Sequence, residues 1–468
     1  MTNRAGTGWG SRMGWIVRWI EMGTGKPARS VDILEFGQPC DFRDIANFGL
    51  TLAEAQQLLG GAQQAVAAAQ AHDHAVLRPD CSSCGGTCHI KDWRLHQVAT
   101  LFGAVAVRLP RFRCTGCGHI ETGVGWPSHC RSTPELDQLR AHLSALMPYR
   151  VAAAVLAHLL PVEVGRNHDT LRRHTLKTGE QLRDAVAVKP APAAPAITVT
   201  LDSTFIRSCR DGERHLEVRV GNAERSDGGR QVFASVTRGA TNVAALIRRS
   251  LETAGRTAET AVTAFTDGCP GLQSILADAG ITTPPIAEWF HIAMRLRHAR
   301  QAADGLSTNA PRRIQARTAI VAEVERLHWR IWNGKAKGAK LALKRIRKVT
   351  HAFKGERGHR AKGVPSSRKL WHALLEIDRC LRGQGARLVS YAERYRAGLR
   401  VGTSVIEGTA NFLVNRRMNK SQQMRWSRGG ADLLLQVRCA PYNGALCGGF
   451  GHLVAATLSS GLPLTKAA

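Results

Sequence analysis

The sequence predicts a multidomain α/β protein: a sheet domain split by a large helical insertion, preceded by a metal-binding hairpin and a pair of helices. Three observations lead there. The chain is 468 residues long, more than one hydrophobic core usually organises. Two Cys-x-x-Cys pairs, Cys81/Cys84 and Cys114/Cys117, stand in its first third. Beyond a proline-rich spacer, three strand-like runs are followed by alternating strand and helix patterns, which a long basic stretch then interrupts.

Composition narrows the partner. Hydrophobic residues are 44% and charged residues 22%, which excludes a mainly disordered, collagenous or coiled-coil chain. Lys and Arg number 65 against 36 Asp and Glu, a net charge of +29 that points to a polyanion, nucleic acid first. With only 6% aromatics, contacts with phosphates are expected rather than broad stacking platforms, which suits double-stranded DNA. No apolar run is long enough to span a membrane: the best N-terminal stretch, residues 13–20, is broken by Arg18. Cys40, Cys209, Cys269, Cys380, Cys439 and Cys447 are scattered, a usage that fits a reducing, cytoplasmic compartment.

Residues 1–30 are rich in Gly, Trp and Arg without periodicity, and residues 1–50 are left unassigned. Residues 51–71 read as a helix opened by a Thr51-x-x-Glu54 capping box, with the glycine pair Gly60-Gly61 as a possible break. Each paired cysteine motif ends in a glycine, which supplies the permissive dihedral a metal knuckle needs, and four thiolates complete a tetrahedral site for one structural zinc. The long gap between the pairs demands a long hairpin with a turn near Gly103. Paired disulfides are the alternative, disfavoured by the compartment; Cys88, His89 and Cys130 compete for a ligand position. Residues 51–131 therefore form a helix plus zinc ribbon.

Residues 132–188 read as helical, with a helix at 149–160, a short turn and a basic amphipathic run at 167–177. Two readings stand side by side: a DNA-binding helix-turn-helix presenting Arg166, His168, Arg172, Arg173 and Lys177 to groove or phosphates, or a helical hairpin with a solvated basic face. Residues 189–196 are a stiff Pro/Ala linker.

From Ile197 the chain alternates, Ile197, Val199 and Leu201 on one face and Thr198, Thr200 and Asp202 on the other, so Asp202 is expected to end a strand. Strands at 215–220 and 231–236 complete an antiparallel meander. A helix at 242–254, a strand at 261–267 ending in Asp267, a helix at 271–279 and an apolar strand at 285–292 follow. This order, with acids ending the first and fourth strands, is the ribonuclease H arrangement, in which those strands are neighbours. Two aspartates held together repel unless a divalent cation sits between them, so the pair makes sense as a magnesium site. Glu407, near the start of a later helix with Ile406, Ala410, Leu413 and Val414 as its stripe, is the third carboxylate; Ser404-x-x-Glu407 is equally a capping box. Residues 197–296 and 401–440 are thus the two parts of the core, and 441–468 a tail. Residues 297–400 are a helical insertion; the stretch 295–362 holds 19 Lys or Arg and 4 Asp or Glu. Among them Lys344, Arg345, Arg347 and Lys348, beside the apolar anchors Leu341, Leu343 and Ile346, suit a DNA-backbone clamp or a solvated face.

The residues Thr200-Leu-Asp202, Phe265-Thr-Asp267-Gly268, Trp289-Phe290-His291 and the block from Ser404 through Glu407 to Trp426 resemble the DDE transposases of bacterial insertion sequences. The likeness is to the group with an N-terminal zinc ribbon and a helical insertion before the last acid, and it covers roughly residues 45–440. The resemblance implies an acidic triad of Asp202, Asp267 and Glu407 holding two Mg2+ (or Mn2+) ions for phosphodiester cleavage and strand transfer. It implies terminal inverted repeats and target DNA as partners, and a homo-oligomer during synapsis. His291 would position the nucleophile or anchor the strand-to-helix turn. Arg416, Arg417 and Arg425 would contact phosphates, and Trp426 would stack on an unpaired base or pack in the core. The rival expectations are a zinc-ribbon DNA-binding regulator with an inactive ribonuclease H-like domain, and a structure-selective DNA nuclease.

Overall fold

The computed structural model describes residues 12–22, 29–39, 45, 48–122, 124, 131–160, 167–185, 191–210, 212–267, 269–353, 364–383, 388–402, 408–419 and 424–446. It is a mixed α/β chain in two compact units, Met1–Thr178 with Ala445–Ala468, and Gly179–Gly444.

In the first unit, β1 (Arg12–Glu21) and β2 (Arg29–Pro39) form an antiparallel hairpin where the sequence showed no periodicity. The reason is visible in its side chains: Trp15 and Trp19 on one face and Ile16 and Ile20 on the other are all exposed, so apolar residues fall on both faces and alternation is lost. Helix α1 (Leu52–Val76) opens on the predicted box, Thr51 N–H donating to Glu54 Oε2 at 2.8 Å and Glu54 N–H to Thr51 Oγ1 at 3.3 Å. It runs unbroken through Gly60-Gly61, correcting the expected break. These glycines are close-approach positions: a Cβ at Gly60 would lie 3.1 Å from the Phe102 carbonyl oxygen, and one at Gly61 would collide with the Ile33 side chain. Ala71 of α1 then joins Val105, Val107 and Leu109 in one small core.

Strands β3 (Cys88–Thr100) and β4 (Gly103–Cys114) make the long hairpin the cysteine spacing requires, closed at Gly103, whose φ is +117°. A short β5 (Ile120–Glu121) pairs with β4. Helices α2 (Pro134–Leu146), α3 (Tyr149–Leu159) and α4 (His168–Asp184) follow, with Ala152, Ala153 and Leu156 of α3 packed on Leu171 of α4. The division between units falls after Thr178, inside α4 and ahead of the proline spacer. Beyond that point Gly179 packs so closely that a Cβ would meet the Leu433 carbonyl oxygen.

The second unit is built on a five-stranded mixed sheet of β6 (Ala196–Arg207), β7 (His215–Arg225), β8 (Arg230–Val236), β9 (Ala261–Thr266) and β10 (Ile286–Ala287), in the order β10-β9-β6-β7-β8. Strands β6, β7 and β8 form the antiparallel meander; β6 with β9, and β9 with β10, are parallel. Alternation sorts the two faces. Ile197, Val199, Leu201 and Phe233 pack on α5 (Val243–Thr253) and α6 (Pro270–Asp278). Val218, Val220, Val232 and Ala234 pack on a π-helical run, Asn411–Asn419, and on α12 (Arg428–Cys439). Fully buried residues such as Ile247 and Leu251 each contribute about 1.5–3 kcal/mol.

Two sequence expectations are corrected here. Asp202 lies inside β6, because pairing with the long β7 carries the strand on to Arg207 while pairing with β9 stops at Leu201. The run ending in Trp289-Phe290-His291 is a two-residue strand only; those three residues open α7 (Trp289–Asp304), which continues into α8 (Pro311–Trp332), α9 (Ala336–Thr350), α10 (Ser366–Gly383) and α11 (Tyr391–Arg396). This helical insertion packs in a core that includes Leu343 and Ile346 and takes in Phe265 of β9 and Ile286 of β10, whereas the third expected anchor, Leu341, is 47% exposed.

Candidate functional site

The four predicted cysteines converge. Cys81 Sγ lies 3.5 Å from Cys117 Sγ, and Cys84 Sγ lies 3.4 Å from both Cys114 and Cys117. A disulfide needs about 2.05 Å, so these are free thiols, and the spacing approaches the roughly 3.8 Å edge of a tetrahedron of zinc–sulfur bonds. Glycine does what the sequence demanded: Gly85 (φ +69°) and Gly118 (φ +76°) turn the backbone after each second cysteine, their N–H groups donating to Cys81 and Cys114 carbonyls. The Cys117 backbone N–H, opposed by burial and helped by the Cys84 and Cys117 thiols and the Gly116 N–H, holds the Cys114 thiol down at about 6. For Cys84 the Gly86 backbone N–H pulls downward, but hydrogen bonds with Cys114, Cys117 and Cys81 push it up to about 12. One thiolate is thus already favoured in the cage, and the set could hold a metal ion such as zinc. Cys88 pairs across the hairpin from Cys114, and its buried sulfur faces the Gly86 carbonyl instead of joining the cage. Cys130 lies outside the described residues. Outside the ligands, Glu121 accepts from Ser82 N–H at 2.7 Å, clasping the first knuckle to β5.

A second cluster gathers at the sheet. Thr266 of β9 pairs with Leu201 of β6 on one side and with Ala287 of β10 on the other. The next residue on each chain is an acid, Asp202, Asp267 and Glu288, so three adjacent parallel segments deliver carboxylates in a row. Asp202 is half-buried and accepts from the Ser203 N–H at 2.7 Å; Asp267 accepts from the Cys269 N–H at 2.8 Å. Burial raises the Asp202 pKa above the ordinary carboxylate value, the Ser203 N–H and His291 oppose this, and Asp267 and Glu288 add to it. Glu288, 3% exposed, precedes α7 and lies 3.4 Å from His291 Nε2 one turn later. Sequence reasoning missed Glu288, although the signal was present: an acid directly after a short apolar strand, the same pattern that marked Asp267. Glu407 lies outside the described residues. Among the described residues the four thiols are the only group of three or more His, Cys, Asp or Glu whose ligand atoms all fall within 4.8 Å of one another.

The basic candidates separate. Arg172 is exposed, Arg173 and Lys177 line a cavity beside the hairpin, and Arg166 lies outside the described residues. Lys344 and Lys348 are exposed on α9; Arg345 is 3.6 Å from Glu323, and Arg347 is held by Asp378 at 3.0 Å and lies over the Trp371 ring. Arg416 and Arg425 are exposed, but Arg417 is 1% exposed and lies over the Trp426 ring, which corrects its reading as a phosphate contact. Trp426 is buried, its Nε1 donating to the Met418 carbonyl, so it is a core aromatic and not an exposed stacking platform. No described helix is long and apolar enough to cross a membrane. No family model matches the chain, and no curated protein does.

Proposed function

We propose that the chain is the transposase of a bacterial insertion sequence, a DDE enzyme with a ribonuclease H-like core that binds element ends and performs metal-dependent cleavage and strand transfer on double-stranded DNA. The observation that carries this reading is that Asp202 and Asp267 directly follow Leu201 and Thr266, the last paired residues of two neighbouring parallel strands, in the sheet order β10-β9-β6-β7-β8. That is the order expected of a ribonuclease H-like sheet, with the first and fourth strands of the unit side by side.

The donor set fits a hard divalent cation: carboxylate oxygens partly withdrawn from water, with Asp202 raised by burial first and then by the neighbouring acids. Magnesium or manganese, when bound, would acidify the attacking water or 3′-hydroxyl and stabilise the leaving oxygen. Asp202 and Asp267 would hold it, with Glu407 as the third acid by resemblance. Glu288 and His291 fix the start of α7 beside them. The exposed Lys344, Lys348, Arg416 and Arg425 would neutralise phosphates, and the zinc ribbon with α2, α3 and α4 would dock the element ends. A second reading, a DNA-binding regulator with a silent core, draws on the absence of any tight carboxylate cluster among the described residues.

Incubation with a supercoiled plasmid carrying the element separates the two readings. Asp202→Asn, Asp267→Asn and Glu407→Gln should each abolish magnesium-dependent cleavage while end binding persists. Retained cleavage in any variant removes that residue from the triad, and absence of cleavage by the wild type favours the regulator.

A further inference from the structure

Helix α9 carries its positive charge in two different ways. From Arg326 to Gly355 the chain holds no Asp or Glu, so any acid that meets α9 comes from another element. Its arginines have such partners: Arg345 lies 3.6 Å from Glu323 of α8, and Arg347 lies 3.0 Å from Asp378 of α10. Its lysines do not. Lys337, Lys340, Lys344 and Lys348 are exposed, and no acid among the described residues pairs with any of them. At 3.6 residues per turn these four positions fall within about 80° of the helix circumference and form a row about 16 Å long. Ala339, Ala342 and Ile346 are buried on the opposite side.

Like charges one turn apart destabilise a helix. The start of α9 adds to the cost: its cap position is Lys335 with no side-chain cap, and its first turn holds Lys337 and no acid, which puts cations where the helix dipole is already positive. A polyanion lying along the row relieves both. The length matches about five base pairs of a duplex at 3.4 Å each. The row contains no Arg, Asn or Gln, the side chains that most often read base edges, and its lysines are flexible point charges suited to phosphates. It can therefore hold a duplex but not tell one sequence from another. We propose that Lys337, Lys340, Lys344 and Lys348 form the docking surface for target DNA, taken by its backbone without regard to sequence, while element ends are held elsewhere. The backbone chemistry rests on the row, whereas the assignment to target rests on the transposase reading above.

The experiment reads fluorescence anisotropy on the full zinc-loaded chain without magnesium, so failure of cleavage and failure of this surface are separate results. The probes are two labelled duplexes of equal length, one carrying an element end and one scrambled, titrated at salt from about 50 to 200 mM. Lys337→Gln/Lys340→Gln/Lys344→Gln/Lys348→Gln should weaken the scrambled duplex at least roughly tenfold and flatten the slope of log affinity against log salt by about 3–4, while the end duplex changes less than about threefold. Replacing the same four lysines by arginine should keep the slope. The glutamine variant loses only repulsion, so its melting temperature should stay level or rise. Arg347→Gln, which deprives Asp378 of a partner, should instead melt earlier and move the slope by less than about one. An unchanged slope in the glutamine variant overturns the docking surface. Equal losses on the two duplexes overturn its assignment to target. If the slope falls as expected but the wild type never cleaves a plasmid with magnesium, the transposase reading fails and a sequence-blind DNA surface stands.

Discussion

The Glu288 carboxylate lies 3.4 Å from the Nε2 of His291, one helical turn on, at the point where β10 gives way to α7. A carboxylate 3% exposed cannot be stripped of its partners cheaply. Glu288→Ala is therefore expected to cost about 2–4 kcal/mol, and Glu288→Gln, which keeps the shape and one acceptor, less than half of that. Urea denaturation of the two variants checks this.

Asp202 gives a pH dependence with a definite sign. Its folded pKa is raised by burial and then by Asp267 and Glu288, so the native state holds its proton to higher pH than the unfolded chain does. Stability is lost as pH rises from the unfolded value of about 3.9 through the folded one. Asp202→Asn should accordingly raise the melting temperature at neutral pH, with the gain vanishing below about pH 4. Melts of wild type and variant across that range decide it.

Zinc should be inseparable from the ribbon. Cys84→Ser or Cys117→Ser is expected to reduce bound zinc from one ion per chain to background and to expose amides of β3 and β4 to hydrogen exchange. The sheet of the second unit, which has its own cores, should keep its protection. Metal analysis and exchange mass spectrometry read both effects.

Gly221 stands opposite Leu201 in the middle of the sheet, and a Cβ there would collide with the Phe233 ring and lie 2.5 Å from the Thr200 carbonyl oxygen. Backbone cannot move aside as a side chain can. Gly221→Ala should destabilise by about 1–3 kcal/mol. Because Thr200 is two residues before Asp202, it should also weaken manganese binding, measured by paramagnetic relaxation.

Much of this was legible because it is written in short-range patterns. Ile197, Val199 and Leu201 announced β6 by alternation, Thr51 and Glu54 announced α1 by capping, and the cysteine–glycine knuckles announced the metal cage. What failed depended on partners far along the chain. Pairing with β9 ends at Leu201, yet Asp202 sits mid-strand because β7 is longer. Gly60 and Gly61 look like a break until Phe102 and Ile33 are seen against them. Arg417 looks like a phosphate contact until Trp426 covers it. Glu288 was overlooked because an apolar strand running on to Ile292 puts this acid inside it, whereas β10 stops at Ala287.

Leu201, Thr266 and Ala287 are locked side by side by main-chain hydrogen bonds, and each is followed by its acid. The sheet therefore acts as a ruler, with graduations of about 4.8 Å set by peptide geometry and not by side-chain fit. Swapping apolar residues beneath it would soften the protein without moving those marks. Inserting a single residue just before Asp267 would leave the hydrophobic layers filled and put one mark on the wrong line.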